Sequence, residues 1–200
     1  MIKRTFDIFF SLCGLIILAP LLLLIAILIK IDSKGPIFFL QNRVGLNEKE
    51  FLIYKFRTMR EGAEKGGLLT IGDKDNRITR IGYYLRKYKL DEIPQLMNVL
   101  IGEMSIVGPR PEVKKYVGMY TLLQKNVFKI KPGITDYASI EYAEENNLLA
   151  AQADPEEIYI KSIMPAKLAL NLKYIQERNL LVDFKIIIKT LFKIISVNNL

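Results

Sequence analysis

The chain contains no histidine and a single cysteine, Cys13. Without histidine, Ser-His-Asp and Cys-His catalysis, histidine general bases and histidine-ligated zinc or haem sites are all excluded. Proton transfer must fall to Asp, Glu, Lys or Tyr. One cysteine excludes an internal disulfide and any multi-cysteine zinc or iron-sulfur cluster. Any metal must therefore be a hard ion on oxygen ligands. The 200 residues make roughly one domain, since independent units usually run about 100 to 200 residues.

The balance of 29 Lys and Arg against 21 Asp and Glu gives +8, in a chain that is half apolar. Basic proteins that grip nucleic acid are rarely this apolar. The combination points first to an anionic membrane surface or a phosphorylated substrate.

From Leu12 to Ile29 there are eighteen consecutive residues without a polar side chain, the length class of a membrane segment. A secretory signal would have a shorter apolar stretch, about 7 to 15 residues, and a small-residue cleavage site. Asp32-Ser33-Lys34-Gly35-Pro36 offers none, so the segment is expected to stay in the mature protein. A plain spanning helix is the simplest alternative. Against it, Pro20 sits near the middle, where it removes a backbone hydrogen bond and kinks a helix. Cations also flank both ends, Lys3 and Arg4 before, Lys30 and Lys34 after, so the positive-inside rule does not place the ends on opposite faces. The expectation is a re-entrant helix, broken at proline, that dips into one leaflet: residues 1–34 as anchor, residues 35–200 as a catalytic domain on the cytoplasmic face. Cys13 reads as a small buried hydrophobe.

At the other end, Asp183 is expected to N-cap a helix that places Phe184, Ile187, Ile188, Leu191, Ile194 and Ile195 on one face and Lys185, Lys189 and Lys193 on another. An ordinary core helix shows the same period. The lysines opposite a nearly all-aliphatic face favour a helix lying in the bilayer interface. From Lys161 onward seven Lys or Arg face Glu177 and Asp183, a net +5 of the total.

Between these ends, Ile37–Leu40 and Phe51–Tyr54 flank a polar stretch with Gly45 and Asn47 and read as a hairpin. Ile78–Tyr88 reads as a helix. A second helix is expected from Asp91 to Leu100, with Pro94 in its first turn and Gly102 as its stop. That would set Asp91 and Glu92 at a helix N-terminus suited to phosphate, although position alone would equally make them an N-cap and a first-turn acid. The fold class is thus α+β and mostly helical, with a small β-hairpin and interfacial amphipathic helices. Gly67 and Gly72 have P-loop spacing, but Asp73-Lys74 stands where Lys-Ser/Thr is required. Asp73, Asp75 and Asn76 begin like a calcium loop, but Arg77 follows and the loop glycine is missing. Glu141–Glu157 holds six acids and no Lys or Arg, most simply a solvated face.

Several short motifs occur in one order: Gln41-Asn42-Arg43-Val44-Gly45, Tyr54-Lys55-Phe56-Arg57-Thr58-Met59, Ile78-Thr79-Arg80-Ile81-Gly82 with Leu85-Arg86, Leu90-Asp91-Glu92-Ile93-Pro94-Gln95-Leu96, Asn98-Val99-Leu100, Gly102, Met104-Ser105, Val107-Gly108-Pro109-Arg110-Pro111 and Lys131-Pro132-Gly133-Ile134-Thr135. With the proline-containing N-terminal helix, the chain resembles the monotopic phosphoglycosyl transferases, bacterial sugar transferases that start assembly of polyprenol-linked glycans. The resemblance covers nearly the whole chain. It implies transfer of a sugar phosphate from a UDP-sugar to a polyprenol phosphate (undecaprenyl phosphate) with Mg2+, at the cytoplasmic face of the bacterial inner membrane. It makes Asp91 the covalent nucleophile that releases UMP, and gives Glu92 a role at the metal or in proton handling, so that Asp91 and Glu92 are also the metal candidates. Lys55, Arg57, Arg86 and Arg110, with Arg43 and Pro109, become the substrate-binding candidates, arginine being suited to bidentate phosphate contact. Each cation could instead sit in a surface ion pair. A carboxylate nucleophile and an oxygen-ligated ion agree with the lack of histidine.

After Gly133 the chain departs from the common family pattern, with Ile134-Thr135-Asp136-Tyr137-Ala138-Ser139-Ile140-Glu141 in place of Gly-Ile-Thr-Gly-Trp-Ala-Gln. The sugar-facing region is expected to differ and the donor sugar stays open, an N-acetylated amino sugar being one candidate. Without the multi-span region of larger members, the chain looks like a minimal form. Membrane lipids are expected partners, nucleic acid is not, and the oligomeric state is left open, a homodimer included. A catalytically inactive membrane-anchored adaptor is the rival reading; it would not need an Asp-Glu pair beside phosphate-binding cations. A membrane-tethered nucleic-acid binder is supported only by the charge, and binding insensitive to salt would argue against it.

Overall fold

A computed structural model describes residues 2–63 and 75–197. The stretch with Gly67, Gly72 and Asp73-Lys74 lies outside the described residues. Asp75, Asn76 and Arg77 lie inside, and there the Asp75 carboxylate is held by Arg77 at 2.6 Å.

Helix α1 runs Ile2–Asp32. Strands β1 (Phe38–Val44) and β2 (Glu50–Phe56) follow as an antiparallel hairpin in which Phe38 faces Phe56 and Val44 faces Glu50. Then come α2 (Arg80–Lys87), α3 (Gln95–Ile101), β3 (Ser105–Val107), α4 (Lys114–Val117) and β4 (Gly133–Thr135). The remainder is helical: α5 (Tyr137–Glu141), α6 (Glu145–Ala150), α7 (Pro155–Ile158), α8 (Met164–Glu177) and α9 (Leu180–Val197). The α+β, mostly helical class with one small hairpin agrees with the sequence reading.

Helix α1 is unbroken: Pro20 lies inside 31 continuous helical residues, so the two separate segments expected from the proline are not present as such. A single proline costs one bond of the ladder, and the bonds on either side suffice to carry the helix through. Cys13 is only half-buried, because most of α1 turns its side chains outward. Among the described residues α1 is the helix long and apolar enough to cross a membrane, and only 11% of its apolar window is buried.

Both ends of α1 are nevertheless tied to the rest of the chain. Near its start Lys3 pairs with Asp183 at 2.6 Å, Arg4 donates to the Val99 and Leu100 carbonyls at the end of α3, and Asp7 accepts from Ser105 Oγ at 2.8 Å and Ile106 N at 3.1 Å. Near its finish Ile25 and Ile29 pack with Phe56 and Leu85, and Asp32 accepts from Ile81 N at 3.0 Å. Polar side chains in an otherwise apolar helix are thus spent on docking it, where each buried polar group needs a partner.

Strands β3 and β4 form a second sheet, parallel, with Ser105 opposite Gly133 and Val107 opposite Thr135. Each strand is three residues long, so no alternation exposed it in the sequence. The two chains meet at glycines: a Cβ on Gly133 would lie 2.1 Å from Gly108 N, so a side chain there would collide with backbone.

Two expected helix starts move. Helix α3 begins at Gln95, and Asp91 and Glu92 sit in a tight 3₁₀ turn, Leu90–Glu92, before it. Pro94 has no N–H to donate back along the chain, so the bonds here run three residues back, Ile93 N to Leu90 O and Met97 N to Pro94 O. Gly102 does end α3, in the left-handed conformation. Helix α9 begins before Asp183, capped by Asn179, whose Oδ1 accepts from Val182 N. Asp183 is buried and serves Lys3 and Tyr174 instead. On α9, Ile186 is the fully buried aliphatic residue, while Leu181, Phe184, Ile188, Leu191, Phe192 and Ile195 are exposed, a continuous outward stripe at helical spacing with Lys185 and Lys189 beside it. The acidic stretch is also less bare than its composition suggests: Glu145, Glu156 and Glu157 pair with Lys167, Lys115 and Lys161.

Candidate active site

The Asp91–Glu92 turn opens on a cavity of about 770 Å³ that Arg43, Lys55, Arg86 and Arg110 also line. Its position comes from three neighbouring elements. Lys89, before the turn, takes the left-handed conformation at φ 55°, a strained choice for a side-chain-bearing residue, and swings the chain away from α2. On α3, the fully buried Asn98 imitates a neighbouring strand: its Nδ2 donates to Leu52 O at 2.7 Å and its Oδ1 accepts from Tyr54 N at 3.0 Å. This clamps α3 to β2 beside Lys55. From the parallel pair, the chain leaving β3 passes through Gly108 and Pro109 and delivers Arg110, whose backbone N–H is held by Asp136 at 3.1 Å.

Glu92 is the hub. Lys55 Nζ donates to Glu92 Oε1 at 2.7 Å, and the Arg110 guanidinium spans both carboxylate oxygens, with Nη2 on Oε1 and Nη1 on Oε2. Burial works against the Glu92 charge, but Arg110 and then Lys55 outweigh it and hold the carboxyl well below the usual carboxylate range. Glu92 in turn raises Arg110 further. Burial lowers the Lys55 ammonium, with Glu92 opposing. Asp91 is treated differently by the same site. Burial, and then the charge of Glu92, push its carboxyl up, with Lys55 and Arg86 pulling the other way. Adjacent carboxylates driven apart in this manner are a mark of assigned chemical roles.

The remaining sequence candidates separate. Arg86 lines the cavity; burial lowers it and Asp91 is its leading electrostatic counterweight. Arg43 also lines the cavity but is committed to Gln41 Oε1 at 2.7 Å and Glu112 Oε1 at 3.0 Å. Pro109 is buried behind the site and uses its carbonyl to accept from Gly133 N, a scaffolding position. Arg57 is elsewhere altogether: its buried guanidinium donates to Ser33 O at 2.8 Å, Ser33 Oγ at 2.9 Å and Lys34 O, at the exit of α1. It lies in a substrate-like motif, but its two terminal nitrogens are taken by Ser33 and Lys34 where α1 ends, while its Nε is buried without a partner among the described residues.

Asn98 and Asp136 were not singled out from the sequence. Asn98 had a signal, a lone amide within Leu96-Met97-Asn98-Val99-Leu100, where a polar group must find a buried partner. Asp136 had a weaker one, three residues before Ser139, whose N–H it caps at 2.6 Å.

Among the described residues no group of three or more Asp, Glu, Cys or His could hold a metal by itself. Both Glu92 oxygens already accept from Lys55 and Arg110, so an ion at Asp91 and Glu92 would have to take most of its ligands from substrate phosphate oxygens and water, as magnesium does. Around the pair, Lys55 and Arg110 meet Glu92, and Arg86 is the cation whose charge answers to Asp91 first.

A family model for bacterial sugar transferases matches residues 1–197. The chain is 36% identical over 200 residues to the UDP-N-acetylgalactosamine-undecaprenyl-phosphate N-acetylgalactosaminephosphotransferase of Aeromonas hydrophila, covering 98% of this chain and 44% of that protein. It is 36% identical over 196 residues to the undecaprenyl-phosphate glucose phosphotransferase of Komagataeibacter xylinus, covering 94% and 35% respectively. It is 35% identical over 196 residues to the UDP-glucose:undecaprenyl-phosphate glucose-1-phosphate transferase of Escherichia coli, covering 96% and 40%. The chain spans less than half the length of each of these three relatives. Matched over nearly its full extent, it belongs to the bacterial sugar transferase family.

Proposed function

We propose that this chain is a phosphoglycosyl transferase that moves a sugar 1-phosphate from a UDP-sugar to undecaprenyl phosphate, with Asp91 as a covalent nucleophile. The observation that carries the reading is the unequal treatment of two adjacent carboxylates at one cation-lined cavity: Glu92 is locked to Lys55 and Arg110, and Asp91 is buried beside it with its charged form disfavoured. The relatives' names share the undecaprenyl phosphate acceptor and differ in the sugar, so the acceptor carries over more readily than the donor.

In the first step an Asp91 carboxylate oxygen attacks the phosphorus next to the sugar. The bond from that phosphorus to the bridging oxygen breaks, UMP leaves with the electron pair, and an aspartyl phosphosugar remains. In the second step a phosphate oxygen of the lipid attacks the same phosphorus and the Asp91 carboxylate departs. Neither step needs a histidine base, since attacking and leaving groups are both anions. Arg110 and Lys55, held in place by Glu92, and Arg86 face the charge that gathers on the phosphoryl oxygens. Magnesium, when bound at Asp91 and Glu92, would neutralise part of the diphosphate charge.

For the membrane, the supporting observation is that residues 3, 4 and 7 and residues 25, 29 and 32 of α1 all contact the same body of the chain. A helix of this length measures about 46 Å, against a hydrocarbon core of about 30 Å. Were its ends on opposite faces, one set of contacts would have to cross the bilayer. The reading is therefore monotopic, with α1 dipping into the cytoplasmic leaflet of the inner membrane and the outward apolar stripe of α9 lying in the interface. In a Cys13→Ser background, cysteines introduced at positions 2 and 34 are expected to react with an impermeant reagent from one and the same side; reaction from opposite sides would overturn the topology.

The activity is tested by UMP release from a panel of UDP-sugars with magnesium in detergent. One donor is expected to give a burst of about one UMP per enzyme without acceptor, the fingerprint of a covalent intermediate, and continuous turnover with undecaprenyl phosphate. No UMP from any donor, together with no phosphosugar adduct on Asp91, would remove the proposal.

A further inference from the structure

The cavity extends from the carboxylate pair to a wall made by α5 and α8, and that wall holds polar atoms that the fold itself does not use. Ser139 Oγ and Asn171 Oδ1 are both buried, and neither has a hydrogen-bond partner among the described residues. Both residues line the cavity, and Asn171 is only 4% exposed. A buried acceptor left alone carries a desolvation cost with no return in the free protein, which is the expected condition of a group reserved for a ligand. Lys167, on the same face of α8 one turn earlier, is paired with Glu145 at 2.6 Å, and these two also line the cavity. The wall is therefore lined by polar groups of α5, α6 and α8.

Its distance from the chemistry is set by Asp136. One carboxylate oxygen of Asp136 accepts from Ser139 N and the other from Arg110 N, and the Arg110 side chain lies on Glu92. Ser139 thus stands one helical turn from Asp136, which holds the backbone of Arg110, the residue that grips Glu92. The phosphorus under attack carries the sugar through one oxygen, whereas the nucleoside is separated from it by the second phosphate, so the sugar is the part of the donor nearer to this wall.

We infer that Ser139 and Asn171 form the subsite that reads the sugar ring of the donor, through a ring hydroxyl or an acetamido N–H donated to Asn171 Oδ1 and a second hydrogen bond at Ser139 Oγ. An amide oxygen accepts but cannot donate, so a lipid tail has nothing to offer it and a fully ionised phosphate has no hydrogen to give. Sugar hydroxyls and acetamido groups do. The nucleoside of a UDP-sugar carries donors too, the N3–H of uracil and the two ribose hydroxyls, and the experiment below separates sugar from nucleoside. The inference rests on the transferase reading above.

The test compares full-length wild type with Ser139→Ala and Asn171→Ala, measuring kcat/KM for UMP release over pairs of UDP-sugars that differ in one hydroxyl or acetamido group, alongside inhibition by UMP. A site built to hydrogen-bond a substrate group discriminates strongly against analogues lacking it. The preferred donor is expected to lose about tenfold or more in each variant, its analogue about twofold or less, and the inhibition constant of UMP is expected to stay unchanged. Unchanged donor ratios in the variants, with wild type active, would overturn the subsite and leave the transferase standing. Weaker UMP inhibition by the same factor would reassign the wall to the nucleotide and overturn it too. Wild type inactive with every donor would take down the transferase and this inference together. Ser139→Ala removes one oxygen atom from a half-buried residue, so it decides the matter if Asn171→Ala does not fold.

Discussion

Asp91→Asn is expected to abolish UMP release, by at least on the order of 10⁴-fold, while leaving a folded protein that melts at a higher temperature than wild type at neutral pH. The two effects have one cause. Asp91 is buried next to a Glu92 that Arg110 and Lys55 keep ionised, so its own charge is disfavoured in the fold. A carboxyl whose folded pKa is raised weakens the fold once the pH is high enough to ionise it. The penalty is complete above the raised value and disappears below the ordinary carboxylate range, near about pH 4. Asparagine, similar in shape and never ionised, escapes the penalty, so its gain in melting temperature should be present at pH 7 and vanish toward pH 4. The same sign applies to catalysis. On the proposed mechanism Asp91 must be ionised to attack, so the acid limb of UMP release should lie above the usual carboxylate range. Glu92 behaves oppositely: with its folded value depressed, its contribution to stability is present above its ordinary value and is lost only as the pH falls through the depressed one. Melting curves over pH for both proteins, with a UMP assay and mass spectrometry for the adduct, decide the matter. Retained turnover in Asp91→Asn would assign the nucleophile elsewhere.

Arg57→Met should do the reverse, lowering stability by about 3 kcal/mol while leaving the chemistry of the folded fraction intact. The guanidinium is buried and its donors go to Ser33 O, Ser33 Oγ and Lys34 O, carbonyls and a hydroxyl at the end of α1. Hydrogen bonds from a charged group are worth about 1.5 to 3 kcal/mol each, and acceptors left buried without a donor cost about 1 to 3 more. These losses do not simply add, because water can reach the partly exposed Ser33 and Lys34. Methionine keeps most of the stem volume, so the change isolates the hydrogen bonds from the packing. A denaturant or thermal melt in detergent measures the first half, and kcat per folded protein the second. If Arg57→Met were as stable as wild type but bound the donor poorly, Arg57 would belong with Arg86 and Arg110 after all.

Arg57 also shows where reading the sequence ran out. In Tyr54-Lys55-Phe56-Arg57, two cations alternate along one strand, and period two sends them to the same face. The structure sends Lys55 to Glu92 and Arg57 to the end of α1, although Arg57, one residue past the end of β2, still donates its N–H to Ile37 O at 2.9 Å. The carboxylate pair itself was legible, since two adjacent acids within Leu90-Asp91-Glu92-Ile93-Pro94 stand out from an apolar setting. Its local geometry was not, because Pro94 replaced the expected helix start by a 3₁₀ turn.

What the sequence determined by itself is whatever depends on neighbours a few residues away, or on composition: the length and apolarity of α1, the hairpin around Gly45 and Asn47, the stop of α3 at Gly102, and the exclusion of histidine chemistry, an internal disulfide and cysteine metal clusters. Propensity and periodicity act over one or two turns, and they report faithfully at that range. Tertiary structure alone decided which charges meet. Lys3 finds Asp183 across 180 positions, Glu92 takes Lys55 and Arg110 and leaves Arg57 aside, and α9 buries Ile186 while its other apolar stripe faces outward. An ion pair in a low-dielectric site is settled by which partner the fold carries to within about 3 to 4 Å, where Coulomb attraction can offset the loss of water. No pattern along the chain encodes that distance.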